Sequence, residues 1–301
     1  MNRLRSRAFF VCFYQQKDTY QMGRYTFSGH ESFPCKTLWL KKGYDFIKAG
    51  CDFNSSDAVV NLGVGKNMVA SIRFWMRAFG MSKDDRLTDL ANYLLDTENG
   101  KDPYLEDLGT LWILHFNLVA ANEASLYNLF FLKFQKERKQ FDRQHVLNFV
   151  KRVMTEDDRI AQFNENTVKQ DVGTLLQNYV LPLKAKSYDD YSSLLVDLDL
   201  LRYDTGSGNY SFNLEGKRQI PWQVFLYAVL VIKGQDNTVS YDELQKLGLA
   251  FCMTDMEVIG ICHEIESHHQ NELRYSDTAG IRQMLFMKEL SVTDALNEYY
   301  D

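Results

Sequence analysis

Between Asn164 and Met287 the sequence twice spells out one order of segments, and that order restricts the fold more than any other feature. In Asn164–Tyr179 the apolar residues Val168, Val172, Leu175, Leu176 and Tyr179 form a helical stripe, with Thr167, Lys169 and Gln170 polar between them. SSLLVDLDL follows as a helix. LLRYD, TGSG and NYSFNLE then read as two short strands around a Gly-rich turn. The last segment repeats the order: PWQVFLYAVLVIK is a helix from Pro221, SYDELQKLG a short helix and MTDMEVIGICHEIESHH a longer one. LRYSDTAGIRQMLFM closes it as strand, turn and strand. Helices followed by a hairpin are the winged-helix order. No clear sequence identity links the two segments, so the repeat is one of architecture. The expected fold class is mainly α: a multi-lobed helical protein with two or three winged-helix-like modules, each a helix-turn-helix plus a β-hairpin. The expected lobes are 23–120, 121–218 and 219–301.

The first lobe carries its own helix-turn-helix pattern. Leu38–Ala49 reads as a helix ended by Gly50, Asp57–Leu62 as one or two helical turns, and Gly63-Val64-Gly65 as a turn. Asn67–Phe79 is a longer helix stopped by Gly80. At about 100° per residue, Met68, Ile72, Trp75 and Phe79 fall in one sector, with Asn67, Ser71, Arg73, Phe74 and Arg77 opposite. Arginine suits guanine edges, asparagine adenine edges, and serine and lysine phosphates. A surface helix whose arginines only solvate it is the competing account.

Charge supports a polyanion partner at this end. The net charge is −6, yet residues up to Lys83 hold 13 of the 34 Lys+Arg and only 5 of the 40 acids. A basic lobe on an acidic body fits nucleic acid, and equally an intramolecular or subunit contact. The five cysteines (Cys12, Cys35, Cys51, Cys252, Cys262) show no CxxC spacing, which argues against a disulfide framework and a structural zinc site. No apolar run approaches the ~20 residues that span a bilayer, so no membrane partner is expected. The basic MNRLRSR and apolar AFFVCFY mimic the start of a secretory signal, but no small-x-small cleavage site follows. Residues 1–22 therefore read as a disordered extension or a mis-called start, with Met22 the working start and a cytoplasmic location.

Several motifs yield to cheaper explanations. Asp102-Pro103 reads as an N-cap with proline at the first helical position, and Glu106 and Asp107 as first-turn acids. The apolar TLWILHFNLVA continues that helix and makes His115 a core histidine. Residues 124–154 read as continuing helix. LGVGKNM is no phosphate loop, because Val60 stands where the first glycine belongs and Asn67 where Ser or Thr would reach magnesium. His263, Glu264 and His268 miss the HExxH spacing by one residue. Ser28-Gly29-His30-Glu31-Ser32 lacks the glycine pattern of a nucleophile elbow. His30 and Glu31 stand as a small polar site or as the fixing of a turn.

The segments YTFSGHESFPCKTLWLKKGYDF, AVVNLGVGKNMVASIRFWMRAFG, DPYLEDLGTLWILHFNL, NTVKQDVGTLLQNY and DTAGIRQM resemble the bacterial family DUF4007 from about Arg24 onward. The resemblance implies no established activity. It implies a gene neighbourhood of DNA phosphorothioation and phage defence. Some members carry a phosphoadenosine phosphosulfate reductase label, which this sequence does not support: SGHES lacks the second glycine and the aspartate of an SGGxDS loop, and DALNEYYD has no cysteine.

The expected function is a double-stranded-DNA-binding or accessory protein of a DNA-modification-linked defence system, acting with other proteins of such a complex. Lys66, Asn67, Ser71, Arg73 and Arg77 would face DNA, and Lys36, Lys41 and Lys42 would hold phosphates. Thr167, Lys169 and Gln170 would form a second contact helix. No cofactor, metal or catalytic residue is expected. The alternatives are a protein-interaction scaffold without DNA contact, and an enzyme (a nuclease or sulfur-handling protein) built around His30, Glu31 and Cys35.

Overall fold

The computed structural model describes residues 25–184, 192–214, 220–277 and 282–301. The chain is mainly helical with small antiparallel sheets, and it divides into two compact units, Gln21–Asn213 and one built on Leu214–Asp301. The expected extension 1–22 lies outside the described residues. The expected lobe boundary at 120/121 lies inside the first unit.

In the first unit, α1 (Trp39–Lys48) buries Trp39, Leu40, Tyr44 and Phe46. Its Gly43 meets α3 so closely that a Cβ there would lie 2.6 Å from Met76 Cγ. The short α2 (Ala58–Leu62) ends at Gly63, whose φ of +64° suits glycine, and α3 (Lys66–Ala78) follows. A hairpin of β1 (Ser82–Lys83) and β2 (Arg86–Leu87) turns through Asp84 and Asp85, both left-handed. Then come α4 (Asp89–Leu95), capped by Thr88, and α5 (Leu108–Ala120), capped by Asp107.

Helix α5 is apolar nearly all round and is buried over Gly109–Phe116. Its His115 is fully buried and lies 2.9 Å from the Tyr179 hydroxyl, the satisfied core histidine expected from the sequence. The chain continues through α6 (Ser125–Asn128), a π-helical stretch (Leu129–Phe134) and α7 (Gln135–Glu137). There Phe130, Phe131 and Phe134 join Phe141 and Phe212 in one aromatic cluster. Buried rings of this kind add about 0.5–1.5 kcal/mol per pair beyond their area.

Next are β3 (Gln140–Phe141), α8 (Arg143–Glu156), α9 (Glu165–Tyr179), β4 (Leu201–Asp204) and β5 (Asn209–Phe212). Strand β5 is central, in the order β3-β5-β4. The second unit holds α10 (Trp222–Lys233), β6 (Thr238–Ser240), α11 (Tyr241–Ala250), α12 (Asp255–His268), β7 (Leu273–Ser276), β8 (Gln283–Phe286) and α13 (Val292–Tyr300). Its sheet order is β6-β8-β7, again with the last strand central. Capping boxes start α11 (Ser240/Glu243), α12 (Thr254/Glu257) and α13 (Ser291/Asp294), each contributing about 1 kcal/mol.

Three local expectations are corrected. The helix expected from Pro103 begins at Leu108, because the Asp102 carboxylate instead closes a turn by accepting from the N–H groups of Glu106 and Asp107. Residues 124–154 are not one helix: Arg138 is extended, β3 pairs with β5, and Asp142 caps a new start. SSLLVDLDL yields only a 3-10 turn at Val196–Leu198. Its backbone serves other partners, with Ser192 accepting from Thr37 and Leu194 donating to Cys35.

Candidate nucleic-acid interface

The turn between α2 and α3 presents a helix start to solvent. Gly65 is the N-cap of α3 and no side chain caps it, so the first-turn N–H groups stay available to an outside acceptor. Lys66, Asn67 and Ala70 are exposed on that first stretch, and Arg77 is half-exposed further along. A Cβ on Gly63 or Gly65 would meet nothing within 4 Å, so a ligand can approach the backbone closely. Lys42 is exposed on α1 and reaches over the end of α2, with Nζ 3.4 Å from the Leu62 carbonyl oxygen. Val60, 79% exposed, stands on the α2 surface.

Other members of the expected set have structural duties. Ser71 is buried with no partner for its hydroxyl, so its expected outward position is corrected. The buried stripe on α3 is wider than the wheel sector drawn from sequence and also takes in Phe74, which packs on His30 and Trp75. The Arg73 guanidinium is held by Asp85 at 2.9 and 2.5 Å and by Asn54 at 2.9 Å, over the Phe53 ring. It pins the β1–β2 hairpin to α3. Lys41, expected on phosphate, is buried, with Nζ on Asp45 (2.6 Å), the Leu95 carbonyl oxygen (3.1 Å) and Thr97 (2.7 Å). It caps the end of α4. Lys36 is half-exposed, and its backbone bridges to Ser193.

On α9, Lys169 and Gln170 are exposed and Thr167 is half-exposed. The Lys169 ammonium pairs with Glu165 one turn earlier at 2.5 Å, which lowers the Glu165 carboxyl below its usual range.

His30 faces inward. It is buried, stacks 5.8 Å from Trp75, and places Nε2 3.2 Å from Asp171 Oδ1. The Ser32 N–H donates to Nδ1 at 3.1 Å, which leaves Nε2 to donate to Asp171. Asp171 also accepts from the Ser28 N–H at 3.0 and 3.1 Å. Ser28, Glu31 and Ser32 all have positive φ, and a Cβ on Gly29 would lie 2.4 Å from the Phe74 ring. These bonds hold a strained turn against α9. Glu31 points to solvent.

Cys35 is fully buried, and burial pushes its thiol well above the usual range. The Cys35 N–H donates to Asn178, whose amide donates to Tyr127. His30, Glu31 and Cys35 thus do not converge on one reactive point. Asp171 and Asn178, which fix this region, are polar residues of types usually found on the surface. Their i, i+7 spacing on the apolar face of α9 is the sequence signal that marks them as buried.

Comparisons place this geometry among known proteins. A family described as "Protein of unknown function (DUF4007)" matches residues 27–300. A crystal structure of SspB with bound magnesium superposes with a TM-score of 0.81 at 26% identity, covering 94% of this chain and 91% of that one. A further SspB crystal structure gives 0.79 at 27% identity, covering 92% and 88%. Among curated proteins none matches. No helix among the described residues is long and apolar enough to cross a membrane.

Proposed function

The chain belongs to the DUF4007 family, and from that premise we propose that it is a double-stranded-DNA-binding or accessory protein of a DNA-phosphorothioation-linked defence system. The observation that carries this is the exposed start of α3. An uncapped helix N-terminus, Lys66 and Asn67 stand together there, with Lys42 on the neighbouring helix. Backbone N–H groups at a positive helix end with lysines beside them suit the phosphate backbone, which sets register without reading sequence. The likeness to SspB over nearly the whole chain supports a shared role. The association with phosphorothioation and phage defence rests on the family resemblance alone.

We read the two β-sheet-bearing segments as winged-helix modules, since each runs helix, strand, helix, helix, strand, strand with the last strand central. The lobes 23–120, 121–218 and 219–301 serve here as working functional units, and a cytoplasmic location follows from the DNA partner. Among the described residues no three His, Cys, Asp or Glu side chains converge to hold a metal.

The test is a salt series on a short labelled duplex with the full chain. If Lys42, Lys66 and Arg77 each neutralise one phosphate, log affinity falls against log salt with a slope near −3, at roughly 0.9 per contact. Binding with a slope near zero contradicts the proposal.

A second reading, a protein-interaction scaffold, draws on the unit Leu214–Asp301. Met256 is 76% exposed there, and Leu285 and Met287 are exposed as well. Methionines suit adaptable protein docks. Retention of the modification proteins at high salt, with no duplex binding, would favour it.

A further inference from the structure

We infer that the outer face of α9 is a base-reading surface for A·T-rich duplex DNA, entering the major groove. This rests on the DNA-binding reading above and names what that protein would read.

At about 100° per residue, Asn166, Lys169, Gln170, Gly173 and Gln177 fall within an arc of roughly 100°. Asn166, Lys169, Gln170 and Gln177 are exposed and Gly173 is half-exposed. The opposite side (Val168, Asp171, Val172, Leu175, Asn178, Tyr179) is buried. Three carboxamides therefore point outward along one line. Several other amides of this unit hold structural bonds: Asn54 holds Arg73, Asn128 bonds the Val119 carbonyl and Asn178 bonds Tyr127. Asn166, Gln170 and Gln177 have no side-chain hydrogen bond among the described residues.

The chemistry of this face selects a base pair. A carboxamide offers one donor beside one acceptor, which matches the N7 acceptor and N6 amino donor on the major-groove edge of adenine. Guanine shows two acceptors there and is best met by two donors from arginine or lysine. The face has no arginine, and its one lysine is held by Glu165. Gly173 sits mid-face, and a Cβ there would meet nothing within 4 Å, so the helix backbone can seat close to the base edges. The helix start is capped by the Asn164 side chain, which accepts from the Thr167 N–H, and bears Glu165, so adjoining phosphates are met by neighbouring cations such as Lys151, over the Phe163 ring at 6.0 Å. A helix of 15 residues is long enough to lie across the groove. Its place, last helix before the β4–β5 hairpin, is that of a recognition helix.

The experiment is fluorescence anisotropy of the full chain with three duplexes of equal length, across a salt series. One is alternating A·T and one alternating G·C. The third is the A·T duplex with 7-deazaadenine, which lacks the N7 acceptor. The expected result is binding of A·T about ten-fold tighter than G·C, a similar loss with 7-deazaadenine, and an unchanged salt slope. The Gln170→Ala/Gln177→Ala variant should bind A·T at the G·C level and leave G·C binding untouched. Gln170→Met/Gln177→Met, which keeps size and helix propensity without adding charge, should do the same.

Equal, salt-steep affinity for all three duplexes overturns this inference while leaving the DNA-binding reading intact. An A·T preference insensitive to 7-deazaadenine also overturns it, since the readout is then not in the major groove. No binding to any duplex overturns both.

Discussion

The module ending in β4–β5 and the module ending in β7–β8 have the same element order and the same strand order, and they turn opposite chemistry to solvent. The last helix before the hairpin is α9 in one and α12 in the other. The outer face of α9 carries three carboxamides and a lysine, with Glu165 at its start. That of α12 carries Met256, Gly260, His263, Glu264 and Ser267, with Asp255 at its start. Even the mid-face glycine recurs, Gly173 in one and Gly260 in the other, each with open space before it. Both helices start with an acid, but Glu264 on the α12 face repels phosphates, and an exposed methionine prefers a protein. A shared fold therefore does not assign a shared function; the outward side chains do.

The modules also differ in how they are held, and the largest expected effect tests that. Asp171 ties α9 to the strained turn at Ser28 and His30. Asp171→Ala leaves the Ser28 N–H and the His30 Nε2–H without their acceptor, and should cost about 3 kcal/mol. Hydrogen exchange resolved by segment should show protection falling in Gln21–Asn213 and holding in Leu214–Asp301. An equal loss in both units would mean that they do not open separately.

The module holding α12 has a capping box at each of α11, α12 and α13, against one, Asp142/His145 on α8, in the other. Thr254→Ala should cost about 1 kcal/mol, confined to its own unit and read as a lower urea midpoint of that segment. A change at α9 would break the contrast.

A smaller effect separates the two by thiol labelling. Burial pushes the Cys262 thiol up to about 12, and Cys252 is also fully buried, whereas Cys51 is partly exposed. Near pH 8, Cys51 should label quickly, while Cys262 follows opening of its unit and Cys35 follows opening of the other. With the folded thiol raised above the unfolded value near 8.5, the Cys262 contribution is full below that pH and is lost as pH climbs towards 12. Rapid labelling of Cys262 in the native protein would contradict its placement.

Much of this architecture was legible in the sequence. Helical stripes such as Val168-Val172-Leu175-Leu176-Tyr179, the core position of His115 and both hairpins follow from periodicity and turn chemistry. Short features failed where a local tie competes with a pattern, as with Asp102, which closes a turn where a helix cap was expected. The candidate interface was legible in part. The exposure of Asn67 follows from the wheel and that of Lys66 from the turn before it, while Lys42 is marked by its charge alone. The wheel could not show that the buried stripe of α3 extends to Ser71, or that Asp85 in the turn of the following hairpin captures Arg73. Lys41 likewise found a carbonyl partner at the end of α4 and a hydroxyl partner just beyond it, more than fifty residues away. Such pairings depend on long-range contacts that no local spacing records.

The most direct test of the account is the salt dependence of duplex binding for three proteins: the full chain, its Lys42→Ala/Lys66→Ala/Arg77→Ala variant, and its Met256→Ala/Glu264→Ala variant. The account predicts salt-steep binding that is lost, slope included, in the first variant and unchanged in the second. Binding that survives the first set with its slope intact would place the contact away from the start of α3, and binding that fails with the second would place it on the module holding α12; either result contradicts the account.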